Sequence, residues 1–403
     1  MEVLYIVQHF NVPTGSAGIR PYKMAKALIE NGHSVTIVCG SYDGAQTGLS
    51  GNFVNGKRIG LFEGIKIIEF DIKYSNKLSF ISRTWVFFLY VWKTVRLALF
   101  YRYDVLFASS TPLTVGIPGI FARWVRRKKF VFEVRDLWPE LPKAMRVITN
   151  PVILSLMRLL EFLCYNSANK LIGLSGGIAN GIAKRGIKPQ KITTIPNGCD
   201  LDIFQKNHGS FVIEGTKSDD FLCLYSGTHG IANGLEILID VAVLLNEKGN
   251  KTIKFVLVGD GRCKQDLIQR TRNMNLHNII FLSPMNKAEL SKLMNTCNIG
   301  MQLLANIPAF YYGTSPNKFF DYISVGLPVL NNYPGWISDL IIASNCGVNV
   351  SPDNPNEFAD SLIKLEQEKY KLAEMSENAF MLAKNKFDRD KLARNWVEWV
   401  INE

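Results

Sequence analysis

The segment Ser315-Pro316-Asn317-Lys318-Phe319-Phe320-Asp321 sets a cation and a carboxylate three positions apart at a predicted helix start. Ser is a favoured N-cap and Pro a favoured first helical residue, so a helix is predicted from Ser315 to Gly326, where glycine can turn left-handed. The open amides and dipole of such an end attract an anion, and Lys318 in the first turn adds a charge suited to a diphosphate. Asp321, one turn deeper, can accept hydrogen bonds from a ribose diol. Ser315, Pro316, Asn317, Lys318 and Asp321 are the candidate contacts. The plainer alternative is a capped helix with one salt-bridged lysine.

Other reactive residue types lie where strands hand over to loops. Gly15 and Gly18 follow the first apolar run and let backbone amides approach a ligand closely, with Arg20 able to assist. His9 ends that run, and His229 follows a second apolar run in the loop Thr228–Asn233. Glu133-Val134-Arg135-Asp136-Leu137-Trp138-Pro139-Glu140 is a strand ending in charge. There Asp136 and Arg135 can orient an acceptor hydroxyl or meet its phosphate, with Glu140 a weaker member. Arg262, in Val258-Gly259-Asp260-Gly261-Arg262, is a further phosphate candidate. Asp136, His9 and Arg135 form the candidate catalytic set. The acidic runs Asp200–Asp202 and Ser218–Asp220 lack accompanying His or Cys and are not read as metal sites. No metal is expected.

The elements that must carry these residues repeat one grammar. An apolar strand, a glycine-containing loop and an amphipathic helix occur at Val3–Gly32 and again at Phe221–Gly249, each followed by another apolar strand. Apolar runs bounded by Gly read as strands buried on both faces, hence parallel, and the intervening helices as crossovers. The fold class is therefore α/β, with two Rossmann-like doubly wound domains facing across a cleft. Ligands of such sheets bind beyond the strands' carboxyl ends. The division is 1–205, 206–385, and 386–403, a helix expected to cross back to the first domain.

In this setting the motifs resemble the family-4 retaining glycosyltransferases of GT-B fold. The resemblance rests on Gly15–Arg20 with Gly32-His33, on Glu133–Glu140, on Ile195-Pro196-Asn197-Gly198-Cys199-Asp200, and on the Ser315 helix. It is narrowest toward a bacterial polysaccharide branch similar to N-acetylfucosamine transferases of O-antigen pathways. The family often sets two glutamates eight positions apart. Here Asp321 takes the second place and Gly313 the first. Family Arg and Lys positions after the second domain's first strand hold Thr228 and Asn233. The resemblance implies a UDP-sugar donor as co-substrate without metal, retention at the anomeric carbon, and a polyprenyl-diphosphate-linked sugar as acceptor. The transferred sugar is expected to be an N-acetylated hexosamine or deoxyhexosamine.

Charge and composition narrow the setting. The chain has 403 residues, with 47% hydrophobic and 20% charged residues, which excludes a disordered chain. Residues 1–200 hold 26 Lys and Arg against 12 Asp and Glu, while residues 201–403 hold 20 against 23. The whole net charge of +11 thus arises from the first half, which is expected to meet something anionic. Within it, Lys77–Arg102 is aromatic and apolar between cations, far too interrupted to span a bilayer. It reads as an interfacial helix with Lys77, Arg83, Trp85, Phe88, Trp92 and Arg96 at an anionic membrane surface. The 124–129 run adds a second basic cluster. The first residues read as a buried strand rather than a signal peptide, and seven dispersed cysteines suit a reducing cytosol. The expected location is the cytoplasmic face of the cell membrane.

The sequence reading is thus a sugar transferase of polysaccharide synthesis. A UDP-sugar epimerase of the same fold and a non-enzymatic membrane-surface binding protein are the alternatives. No nucleic-acid recognition module is present in the pattern.

Overall fold

The computed structural model describes residues 1–15, 18–42, 46–75, 78–311 and 313–402, with the backbone alone at Phe80 and Ile81. The expected membrane contact Lys77 lies outside the described residues. The chain divides into two compact units, each with its own sheet.

The first unit holds β1 (Glu2–Ile6), β2 (Ser34–Tyr42), β3 (Lys57–Phe62), β4 (Ile65–Tyr74), β5 (Val105–Ser109), β6 (Lys129–Val134), β7 (Lys170–Gly173) and β8 (Ile192–Thr194). They line up as β3-β4-β2-β1-β5-β6-β7-β8, every pair parallel except the β3–β4 hairpin. β1 and β5 are completely or almost completely buried along Val3–Ile6 and Val105–Ser109, as their unbroken apolar runs require. β3, by contrast, alternates exposed and half-buried residues, the pattern of an edge strand. The helices are α1 (Arg20–Glu30), α2 (Phe80–Phe100), α3 (Ile117–Trp124), α4 (Glu140–Ala144), α5 (Pro151–Ser167) and α6 (Gly176–Ala183). The interfacial candidate α2 packs inward through Tyr90, Thr94 and Ala98, spaced four apart, and Tyr90 donates to the Val38 carbonyl at 2.7 Å.

The second unit holds β9 (Phe221–Ser226), β10 (Ile253–Val258), β11 (Ile279–Leu282), β12 (Ile299–Gln302), β13 (Val329–Asn331) and β14 (Gly347–Asn349) in the order β11-β10-β9-β12-β13-β14, all parallel. Around it lie α7 (Ile237–Glu247), α8 (Lys264–Asn273), α9 (Lys287–Thr296), α10 (Asn317–Ser324), α11 (Trp336–Ser344), α12 (Pro355–Gln367) and α13 (Lys369–Lys386). The last helix is α14 (Arg389–Ile401). Each sheet reverses its order beside the first strand, the switch point where such folds bind ligands.

The first unit ends at Pro196, earlier than the expected 205, for a physical reason. Cys199 donates its amide to Phe387 at 2.7 Å, and Arg389 returns one to Cys199 at 3.0 Å. Arg389 and Asp200 close a buried ion pair at 2.6 Å, which ties residues 198–200 into the second unit. The C-terminal residues after Arg389 group with the first unit, where Trp396 stacks on Tyr5 and meets the edge of Phe107.

Trp396 is fully buried between those rings. Trp396→Ala is expected to destabilise the first unit by about 3–5 kcal/mol, read from urea unfolding. A change near zero would mean that the last helix is not part of that core.

Candidate active site

In the second unit, two glycine loops and a helix start converge on the carboxyl ends of β9 and β10. Gly227 (φ +142) follows β9 and Gly259 (φ +137) follows β10. A Cβ on Gly259 would lie 1.9 Å from the Gly227 carbonyl oxygen, so no other residue fits there without moving the loop. His229 sits between the loops, donating its amide to the Asp260 carbonyl at 3.0 Å and accepting from the Cys263 amide at 2.9 Å. Its ring is fully buried near Tyr225 and Phe281. Burial first, and then the Lys264 charge, lower its pKa to about 4, so His229 is neutral at physiological pH. Arg262 stays exposed beside Gly261.

Helix α10 begins one residue later than the sequence predicts. Pro316 occupies the N-cap, extended at ψ 129, and no side chain caps the helix. Ser315 is therefore not the cap, and Asn317 is the first helical residue. The helix is fixed from below: the Tyr322 hydroxyl accepts from the Ser226 amide at 2.9 Å and lies within 3.3 Å of the Leu224 carbonyl. Gly300 makes room for it, since a Cβ there would come within 2.6 Å of the Tyr322 ring.

Lys318 then reaches back over β9. Its ammonium donates to the Tyr225 hydroxyl at 2.9 Å and to Asn233 Oδ1 at 3.2 Å, and stands 4.1 Å from the Tyr225 ring centroid. The Tyr225 hydroxyl and Asn233 Nδ2 in turn donate to the Thr228 carbonyl, at 2.8 and 2.9 Å. All these partners are neutral. Burial pulls the Lys318 pKa down to about 7. Tyr225 is the partner that sequence reasoning missed, because within Phe221–Ser226 it reads only as one more buried strand residue. Thr228 and Asn233, which replace family cations, prove to be the polar cradle of this lysine.

Asp321 faces a different neighbourhood of the same unit. It is 9% exposed, and burial lifts its pKa to about 6. Lys287 and Arg389 pull it back, while Asp200 pushes it further up. The two acidic runs set aside as metal sites are bound otherwise: Asp200 pairs with Arg389, and Asp220 with Lys254 at 2.7 Å. Among the described residues no group of three His, Cys, Asp or Glu is positioned for a metal.

The first unit has its own cluster at the ends of β1, β2, β4, β5 and β6. The His9 ring packs against Tyr42 and Tyr74, at 5.1 and 4.7 Å between centroids, and its Nδ1 is buried without a partner. Burial, reinforced by the Arg135 charge, holds its pKa near 4. Asp136 accepts from the Thr111 hydroxyl at 3.1 Å. Burial raises its pKa against the opposing Arg135 charge. The structure thus brings His9, Arg135 and Asp136 into one electrostatic neighbourhood. Glu140 does not join it, being paired with Arg185 at 2.8 Å.

Arg20 calls for a correction. It is 2% exposed, bonded to Glu133 through Nε and Nη2, and donates to the Ile195 and Pro196 carbonyls. With four of its five N–H donors spent on the protein, it holds β6 to the end of the first unit and is too deeply buried to meet a phosphate. Glu133 completes the pair. Burial pushes its carboxyl up, but Arg20 and a 2.7 Å bond from Ser109 hold it below the usual range. Gly15 is buried where a Cβ would strike the Asn11 amide group, whereas Gly18 is exposed. Gly313 is not sterically forced: a Cβ there would meet only Ile178, at 3.6 Å.

Two doubly wound units, the second with an uncapped, cation-bearing helix start among glycine loops, define the GT-B class of glycosyltransferases. Residues 17–203 match the Glycosyltransferase Family 4 domain and residues 210–381 the Glycosyl transferases group 1 domain, so the chain is a glycosyltransferase built from these two. Among solved structures it is similar to sucrose-phosphate synthase from Thermosynechococcus elongatus, with TM-score 0.74 and 15% identity over 98% of this chain and 97% of that one. It is similar to WaaG, a glycosyltransferase involved in lipopolysaccharide biosynthesis (TM-score 0.69, 15% identity, 100% of both chains). It is also similar to Anabaena HepE in complex with UDP-glucose (TM-score 0.68, 18% identity, 99% and 98%). These likenesses carry the fold. No curated protein matches the sequence.

The lysine's burial has a stability consequence. Its pKa is 10.5 ordinarily and about 7 when folded, so the folded state loses stability as pH falls from 10.5 towards 7. Lys318→Met removes that loss and is expected to raise the ligand-free Tm by roughly 3 °C or more near neutral pH, with the gain shrinking on approach to about pH 10. A lower Tm at neutral pH would show that the ammonium is better solvated than its neighbours suggest.

Proposed function

We propose that the chain is a retaining transferase that moves a sugar from a UDP-sugar to a polyprenyl-diphosphate-linked sugar acceptor in cell-surface polysaccharide synthesis. The observation that carries the reading is Lys318. It is a cation with neutral partners only, at a helix N-terminus whose own dipole is positive there, so an anion is the partner that would offset both. The donor diphosphate would lie against the amides of Asn317 and Lys318, near Ser315 and Pro316. His229 and Arg262 would flank the phosphates, while Asp321, buried toward Lys287 and Arg389, would hold the helix rather than the ribose. Similar solved structures in complex with UDP or UDP-glucose support this donor class.

Retention would proceed by attack on the face that the diphosphate leaves. The bond from the anomeric carbon to the phosphate oxygen breaks, and the acceptor oxygen bonds on the same side. The acceptor proton passes to the departing diphosphate. Lys318 and the helix amides stabilise the charge that develops on that leaving group, so no metal is required. Asp136, with its raised pKa, would orient the acceptor hydroxyl, while Arg135 and neutral His9 hold the acceptor's polar groups. An N-acetylated hexosamine or deoxyhexosamine is the proposed sugar, in line with an N-acetylfucosamine-type branch. Attachment through Arg83, Trp85, Phe88, Trp92 and Arg96 at the inner face of the cell membrane would present the lipid-linked acceptor. The similar WaaG and the lipopolysaccharide outer core galactosyltransferase WaaB support this setting.

Lys318→Ala is expected to cut turnover at least ~10-fold, with the circular dichroism of the fold unchanged. Asp136→Asn should lower turnover while leaving the thermal shift given by UDP intact. EDTA should leave activity unaltered. Full activity in Lys318→Ala, or loss of activity with EDTA, would overturn the proposed mechanism.

A further inference from the structure

The apolar surface of the first unit extends well beyond α2. Trp85, Phe88 and Trp92 are 60%, 58% and 62% exposed, although the helix already has its inner seam in Tyr90, Thr94 and Ala98. Helix α3 packs against both α2 and α5, and its Trp124 is also exposed. Helix α5 then repeats the pattern. Val152, Leu156, Leu159 and Leu163 recur at spacings of four, three and four, and all four are exposed, as is Phe162. Its buried face is carried by Leu154, Glu161, Cys164 and Tyr165. Single exposed apolar residues are ordinary, but a stripe along a whole helix beside a second aromatic face marks an interaction surface.

Charge selects the partner. Helices α2 and α3 contain no Asp or Glu, and the single acid of α5, Glu161, is 5% exposed and spent on Arg185 at 2.8 Å. Arg96, Arg102, Arg127 and Arg158 are exposed on or beside these helices. A second copy of the same face would set these cations against one another with no acid between them. An anionic bilayer offers phosphate to the cations and an acyl boundary to the apolar stripe, the arrangement of an in-plane helix. No helix among the described residues is long and apolar enough to cross a membrane, so the contact lies in the interface plane.

We propose that α5 is a second membrane-inserting element, and that α2, α3 and α5 form one face taking anionic phospholipid. The inference rests on the membrane attachment proposed above and adds an element that the sequence pattern of α2 does not include. Two helices that flank α3 would fix the orientation of the first unit on the surface, where one alone would leave it free to roll.

The test is flotation with vesicles of phosphatidylglycerol and phosphatidylcholine, against phosphatidylcholine alone. Leu156→Ser with Leu159→Ser and Phe162→Ser should weaken partition onto the anionic vesicles at least tenfold, with the UDP thermal shift unchanged. Arg158→Glu, which alters only an exposed charge, should weaken it severalfold. Wild-type partition by both variants, alongside loss in a Trp85, Phe88 and Trp92 variant, would overturn the role of α5 and leave membrane attachment standing. Failure of the unaltered protein to float on either vesicle would overturn both. A dimer in solution that the α5 substitutions split, without vesicle binding, would assign the face to a second copy instead.

Discussion

An ammonium group withdrawn from water costs free energy unless charge of opposite sign is brought to it, and Lys318 is withdrawn among neutral groups. Tyr225 supplies a hydroxyl and a ring, and Asn233 an amide oxygen. None of these carries charge, and the helix start beneath adds positive potential of its own. The surrounding architecture makes this arrangement possible. Glycine at 227 and 259 lets the two loops close on each other, and Tyr322 locks α10 onto β9. The fold thus holds a deficit of negative charge at the carboxyl end of a parallel sheet, which a bound anion would offset.

Arg20 shows the opposite case in the first unit. It is more deeply buried than Lys318, yet Glu133 and two carbonyls satisfy its guanidinium. A buried cation already paired with a carboxylate and two carbonyls is architecture. Its removal would leave Glu133 as an uncompensated buried charge, which is costly in itself. The distinction between these two cations rests on what surrounds each one, and residue type does not carry it.

Much of the fold was legible because strands buried on both faces leave continuous apolar runs such as Val3–Val7 and Phe221–Tyr225. The β3–β4 hairpin was not, since an edge strand that alternates half-buried and exposed residues resembles a polar loop. The Asp200–Arg389 pair was not legible, because it joins residues far apart in sequence. In the second unit, the place of Lys318 in the first turn of a helix was legible, whereas its partner Tyr225 was hidden inside a buried strand. Arg20 followed a glycine loop and so looked like a ligand contact, because sequence proximity cannot reveal a carboxylate more than a hundred positions away. The apolar stripe of α5 escaped notice beside the more aromatic α2, since amphipathic periodicity alone does not say which face the core takes.

Isothermal titration of UDP at about pH 8.5, in two buffers of different ionisation enthalpy, tests most directly whether Lys318 receives the diphosphate. A lysine held at about 7 in the free protein is mostly neutral there and must regain its proton beside a diphosphate. The account predicts uptake approaching one proton per UDP bound, falling away below about pH 6 and absent in Lys318→Met. UDP binding of equal strength in both proteins, with no proton taken up by either, would contradict it.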